Sequence, residues 1–263
     1  MKMVGVDVGG TFTDAVYYDD RRGKICWSKS PSTVSSPADG VVTAIEQTTS
    51  QIDDLERFVH GITIGTNTIL EGHGAKVWMV TTQGFGDVLE IARTNRTRLY
   101  DIKTLKALPI VPRHQVFEVN ERLSSDGSVI RALDITKIEE IAATLQQQPS
   151  SAVIVCFLHS YINPAHETEA AERLRELLPE WYICSSAEIL PEKREYERFS
   201  TTALNAYIGP ITKQYLGDLD EKFHKKGYKD TIYLMAANGG IVTAEHAARF
   251  PIQTVLSGPA AGV

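Results

Sequence analysis

Asp7, Gly9, Gly10, Thr11 and Thr13 stand close together in the stretch Val4-Gly5-Val6-Asp7-Val8-Gly9-Gly10-Thr11-Phe12-Thr13-Asp14-Ala15-Val16. A β-branched run leads to one carboxylate, a Gly-Gly turn follows, and two hydroxyls precede a second apolar run. Two such runs joined by Gly-Gly predict a tight hairpin whose glycines take positive φ without a Cβ clash. Backbone N–H groups unshielded by side chains can approach phosphate oxygens, and threonine hydroxyls add donors. A single acid beside that turn suits a Mg²⁺ held through water. The chemistry on offer is phosphate binding.

Further along, His60-Gly61-Ile62-Thr63-Ile64-Gly65-Thr66-Asn67-Thr68 sits at a strand-to-helix junction. Its Thr and Asn side chains either cap the helix or present donors to an oxyanion or phosphate. His60 is either a hydrogen-bonded structural histidine or a base. Arg93-Thr94-Asn95-Arg96-Thr97-Arg98 reads as a solvated basic loop or as one that closes over an anion. The run from Pro191 to Arg198 reads as a solvated, charge-dense entry to a helix. Asn238-Gly239-Gly240 follows a strand and either turns the chain or brings backbone near a ligand. Ser257-Gly258-Pro259 opens a small-residue helix start. A Walker-type loop, an H-E-x-x-H and a G-x-S-x-G are all missing from the sequence, which removes P-loop, zincin and α/β-hydrolase readings.

The elements that must position these residues begin with three short strands at 3–8, 12–18 and 24–30. A helical pattern opens at Pro37 and a strand at Arg57, and a buried-strand run spans Lys76 to Thr82 before a short helix to Ile91. Residues 92–112 read as a long polar loop. Thereafter strands and helices alternate, with Asp134, Asn163-Pro164 and Thr243 as helix starts. Apolar residues at spacings of three and four from Glu195 to Phe223 predict a long amphipathic helix, kinked at Gly209-Pro210. Alternation after an initial meander indicates α/β with a mixed sheet.

At 263 residues, with 43% hydrophobic and 23% charged residues, the chain has ample length for a core. A formal charge of −6 argues against nucleic acid as a partner. No apolar run approaches the roughly 18 residues of a membrane span, and no signal-peptide pattern precedes the first strand, so a cytoplasmic protein is expected. Cys26, Cys156 and Cys184 lack metal or redox spacing and read as reduced thiols, mostly in the core.

Five segments in order resemble the amino-terminal part of the hydantoinase A / 5-oxoprolinase family, within the actin, sugar-kinase and heat-shock-chaperone ATPase superfamily. They are Gly5 to Val16, His60 to Glu71, Thr81 to Asp101, Ser185 to Pro210 and Asn238 to Val263. The resemblance implies an RNase H-like mixed sheet flanked by helices, the first lobe of an actin-like two-lobed ATPase. Residues 1–194 would form the amino-terminal domain and 195–263 the long helix and start of the central domain. Asp7 would hold Mg²⁺ through water and act with Thr13 in catalysis. Gly9, Gly10, Thr11, Phe12, Thr13, Asn238, Gly239, Gly240, Ser257 and Gly258 would bind ATP, and His60, Thr66, Asn67 and Arg93 the substrate. Asp14 would support the hairpin. Gly86 stands where the family often has a larger polar residue.

The implied activity is ATP-dependent opening of a small cyclic amide, a hydantoin or 5-oxoproline-like lactam, beside a hydantoinase B-like subunit. A ketone carboxylase subunit and a non-catalytic lobe that docks such a partner are the alternatives. The family's second phosphate loop, of D-x-G-G-T-S-T-D type, and its adenosine segment lie outside residues 1–263. Weak or absent nucleotide binding is therefore expected of these residues alone.

Overall fold

The computed structural model describes residues 1–32, 36–49, 51–95, 100–101, 103 and 106–257. In chain order the elements are β1 (Lys2–Val8), β2 (Phe12–Asp19), β3 (Lys24–Pro31), α1 (Pro37–Glu46), β4 (Arg57–Ile62), α2 (Ile64–Glu71), β5 (Val77–Thr82) and α3 (Val88–Ile91). Next come β6 (Val116–Val119), β7 (Arg122–Leu123), β8 (Val129–Arg131), α4 (Ile135–Leu145), β9 (Ala152–Cys156), α5 (Ala165–Leu177), β10 (Tyr182–Ser185) and α6 (Ser186–Ile189). The chain closes with α7 (Glu195–Lys225), β11 (Ile232–Met235), β12 (Ile241–Thr243) and α8 (Ala244–Arg249). No helix among the described residues is long and apolar enough to cross a membrane.

Two compact units divide these elements, and the division is discontinuous in sequence. One unit comprises Met1–Gly74 with Ile211–Val263, the other Ala75–Pro210. The α/β expectation holds, but the strands fall into separate sheets. In the first unit a six-stranded sheet runs β12-β11-β4-β1-β2-β3. Its β1-β2-β3 meander is antiparallel, whereas β4 and β11 run parallel to β1. That is the RNase H-like order, a meander continued by crossover strands. The period-two alternation of β1 and β2 turns Val4, Val6, Val8, Ala15 and Tyr17 to one face, where they pack with Val41 and Ile45 of α1 and Leu216, Leu219 and Phe223 of α7.

The second unit holds a four-stranded parallel sheet in the order β10-β9-β5-β6. Strands β5 and β9 are buried along their whole length, which explains their uninterrupted apolar text. The Asp134 carboxylate caps α4 by accepting from Lys137 N at 3.1 Å, and the Thr243 hydroxyl caps α8 from His246 N at 3.2 Å, both as the sequence predicts. Helix α7 runs from Glu195 to Lys225 with Pro210 inside it. Gly209 is needed for close approach: a Cβ there would lie 2.5 Å from the Tyr182 ring.

Candidate functional site

Antiparallel pairing of β1 with β2 in the register Asp7↔Asp14 and Val8↔Thr13 puts the loop Gly9-Gly10-Thr11 at the carboxyl end of β1. Gly9 N donates to Phe12 O at 2.9 Å and closes the turn. Neither Gly9 nor Gly10 has positive φ, so the conformational reason given for them above is corrected. Close approach concerns Gly9, where a Cβ would lie 3.2 Å from Phe12 O; one on Gly10 would meet Asn67 Nδ2 at 3.7 Å, an ordinary contact. Among the described residues the N–H groups of Gly10 and Thr11 make no hydrogen bond, and both residues are exposed. They form a small donor surface at the hairpin tip.

Asp7 lies beside this tip on the outer face of the sheet. No hydrogen bond or ion pair among the described residues holds its carboxylate. Its pKa is pushed up by desolvation and then by the facing Asp14. Asp14 itself is engaged by Lys29 Nζ at 2.8 and 2.9 Å, and Lys29 also sits over the Phe12 ring. Parallel pairing sets Gly61 opposite Asp7, where a Cβ would come within 2.9 Å of Asp7 Oδ1. Gly61 therefore keeps room for the carboxylate. Among the described residues no three His, Cys, Asp or Glu side chains converge as a metal cage. One unpartnered carboxylate beside free N–H groups fits a hydrated Mg²⁺ that arrives on phosphates.

Because side chains alternate along β2, Thr13 points to the opposite face from Asp7. It is fully buried, with Oγ1 3.1 Å from Ser32 Oγ, and Ser32 in turn donates to Gly9 O at 2.7 Å. Thr13 thus braces the hairpin from inside. Ser32, Gly61 and Lys29 are contributors that the sequence reading missed. Of these only Gly61, in the quoted His60-Gly61 segment, carried any local signal.

Since β4 and β11 run parallel to β1, three strand ends share one edge of the sheet. That edge gathers the hairpin, the start of α2 and the Asn238-Gly239-Gly240 turn. This turn joins β11 to β12: Gly239 has φ +82° and Gly240 N donates to Asn238 Oδ1 at 2.9 Å. Leu256 N donates to Thr66 Oγ1 at 3.2 Å, and Ser257 Oγ to Ile62 O at 3.3 Å, which brings the last described residues to the same edge. Gly258 and the Arg96-Thr97-Arg98 part of the basic loop lie outside the described residues.

His60 does not reach the surface. It is fully buried, Nδ1 donates to Val6 O at 3.3 Å, and Nε2 therefore accepts the Tyr215 hydroxyl. Burial pushes its pKa down to about 4, so the ring is neutral at pH 7. Arg93 belongs to the second unit, where it pairs with Glu197 at 2.5 Å. The charge-dense run at the entry to α7 is corrected at one position: Arg198, in the first turn of that helix, is completely buried.

Beside the hairpin, on the helix side of the sheet, lies a cavity of about 380 Å³. Gly9 and Gly10 form one wall, the start of α1 another, and Asn67 and Glu71 of α2 with Gln214, Tyr215 and Asp218 of α7 complete it. Residues of α7 could not be placed here from sequence, because they are far from the hairpin along the chain.

The family description "Hydantoinase/oxoprolinase N-terminal region" matches residues 3–178, and "Hydantoinase/oxoprolinase" matches 198–263. The chain belongs to the hydantoinase/oxoprolinase family. It is 38% identical over 262 residues to the uncharacterized protein MJ0964 of Methanocaldococcus jannaschii, across 98% of this chain and 38% of that protein. It is 33% identical to caprolactamase subunit alpha of Pseudomonas jessenii, again across 98% of this chain and 38% of the relative. The acetophenone carboxylase gamma subunit of Aromatoleum aromaticum is 29% identical, across 99% of this chain and 38% of that subunit.

Among solved structures, ATP-dependent caprolactamase from Pseudomonas jessenii superposes with a TM-score of 0.83 at 31% identity, covering 98% of this chain and 39% of that one. Nucleotide-free acetone carboxylase gives 0.86 at 24% identity, covering 100% and 40%, a likeness of fold. The chain thus spans about 38% of the length of the first curated relatives it matches.

Proposed function

We propose that this hydantoinase/oxoprolinase chain is the phosphate-binding lobe of an enzyme that opens a small cyclic amide at the expense of ATP. The observation that carries the proposal is the unpartnered Asp7 carboxylate, kept clear by Gly61, next to the free N–H groups of Gly10 and Thr11. Its similarity to an ATP-dependent caprolactamase supports the substrate class. A ring amide is resonance-stabilised and resists water; bound ATP with Mg²⁺ supplies the phosphoryl group that activates its oxygen.

In this reading Asp7 orients the hydrated cation, and Gly10 and Thr11 N–H donate to phosphate oxygens as charge builds during transfer. Thr13 and Ser32 hold the hairpin so that these donors are fixed before the phosphates arrive. The turn Asn238-Gly239-Gly240 and Ser257 complete the nucleotide edge. Residues 198–263 belong to the second family region, although 211–263 fold with 1–74 in one unit, and a hydantoinase B-like chain or domain completes the enzyme in the cytoplasm. The 263-residue chain alone, with one phosphate hairpin, binds ATP no more tightly than millimolar.

A second reading, an ATP-dependent ketone carboxylase subunit, is favoured by the similarity to the acetophenone carboxylase gamma subunit. One assay separates the two. Phosphate release by the full-length protein with its partner is measured with a lactam, and with a ketone with and without bicarbonate. Ring-dependent release supports the amidase; release that needs ketone and bicarbonate together replaces it with the carboxylase. No release under either condition removes both.

A further inference from the structure

The cavity beside the hairpin has a charge character that narrows what it accepts. Its polar lining consists of Ser32, Ser36, Thr63, Asn67, Thr68, Gln214 and Tyr215, and its charged lining of Glu71 and Asp218. Among the described residues no Lys, Arg or His side chain lines it. Three of the hydroxyls are already committed: Ser32 to Gly9 O, Thr63 to Val8 O, and Tyr215 to His60.

The carboxamides of Asn67 and Gln214 make no hydrogen bond among the described residues. Asn67 is the nearer to the phosphate hairpin, since its Nδ2 lies 3.7 Å from a Cβ built on Gly10. A carboxamide offers one acceptor and two donors, the complement of a ring amide's N–H and C=O. Ile64, Ile211, Pro37 and Ala38 supply apolar wall for the ring carbons. The volume lies at the lower end of small-molecule pockets and leaves ample room for one small ring.

Glu71 and Asp218 are both exposed at the rim. Among the described residues the ion partner of Glu71 is His73 at 3.7 Å, a group that is charged only when protonated. Lys222, which also acts on Asp218, is held by Asp39 at 2.5 Å, so an incoming ring that carries its own carboxylate meets the two rim charges, and an uncharged ring pays no such penalty.

We propose that this cavity binds the ring substrate, that Asn67 reads its amide, and that Glu71 and Asp218 select an uncharged ring over one bearing a carboxylate. The proposal rests on the ring-opening reading above and sharpens it to a substrate class, neutral lactams rather than 5-oxoproline.

The test uses a matched pair, 2-pyrrolidinone and 5-oxoproline, which share one ring and differ only by a carboxylate. Binding of each to the 263-residue chain is followed by ligand-observed NMR without ATP, and circular dichroism confirms that each variant is folded. The uncharged ring is expected to bind at least ~10-fold more tightly than 5-oxoproline. The double variant Glu71→Gln/Asp218→Asn closes that gap, and Asn67→Ala weakens both rings ~10-fold. Equal binding of the two rings, or a gap unchanged in the double variant, overturns the selection. No binding of either ring overturns the pocket. Because ATP is absent, these outcomes are independent of whether the complete enzyme opens rings, which phosphate release decides.

Discussion

Two carboxylates, one in each unit, are treated in opposite ways. In the second unit Glu167 is fully buried and fully satisfied: it accepts from Phe157 N at 2.6 Å, Ser186 Oγ at 2.7 Å and Ala187 N at 2.7 Å. The same Ser186 hydroxyl accepts from buried Arg198 Nε at 3.0 Å, and Arg198 donates further to Phe157 O and Glu192 O. In the first unit Asp7 is exposed, faces a like charge and has no protein partner. A buried network in which both carboxylate oxygens are hydrogen-bonded ties β9, α6 and α7 together and points at no ligand. A carboxylate maintained without a partner, at some electrostatic cost, is available to something outside the protein.

The sharpest way to break this contrast is Arg198→Met. Removing the cation leaves Phe157 O, Glu192 O and the Ser186 hydroxyl short of a donor in the interior, beside a buried Glu167. A loss of about 3–5 kcal/mol is expected in urea unfolding of the chain. A loss below about 1 kcal/mol would show that the network is ornamental.

Asp7→Asn should do the reverse. Stability at pH 7 is expected to stay level or rise slightly, because a desolvated charge facing Asp14 is removed. Phosphate release by the complete enzyme should fall about 10²-fold or more, the scale of losing one preorganised electrostatic contact. Full activity with Asn at this position would place the cation elsewhere.

The next effect is a pH dependence. His60 has a pKa of about 4 in the fold against 6.5 in a free chain, so the unfolded state binds the extra proton between those values. The contribution of neutral His60 is complete above pH 6.5 and is lost as pH falls toward 4, about 3 kcal/mol in all. Urea midpoints from pH 7 to 4 should show this slope, and a folded His60→Gln variant should flatten it. An unchanged slope would assign the pH dependence to other groups.

The smallest effect is at a cap. Asp134→Ala should cost about 1 kcal/mol by freeing Lys137 N at the start of α4, with ring binding in the first unit unaffected. Differential scanning calorimetry reads the first part, and ligand-observed NMR the second.

Much of the site was legible where chemistry is local. The carboxylate, the hairpin and the strand-to-helix junction each occupy a few consecutive residues, and the structure brings them to one edge of the sheet. Two readings changed because they depended on backbone angles and on packing: neither Gly9 nor Gly10 takes positive φ, and Arg198 is interior although the residues just before it are mostly charged. A run of charges looks solvated in one dimension. Only the convergence of β9, α6 and α7 turns one of those charges inward, with a carbonyl and a hydroxyl already waiting for it.

By itself the sequence determined the alternation of strands and helices, the caps at Asp134 and Thr243, and the first hairpin with its lone carboxylate and Gly-Gly turn. These follow from side-chain period, local hydrogen bonding and the absence of side chains at a turn, all short-range physics. Tertiary structure decided the rest. It joined residues 1–74 to 211–263 across an intervening unit, set Gly61 against Asp7, turned Thr13 inward, and brought Tyr215 and Asp218 to the wall of a cavity that begins at Gly9. Strand register and helix packing are settled by burying apolar faces against distant segments, so the neighbours they create cannot be read from adjacent residues.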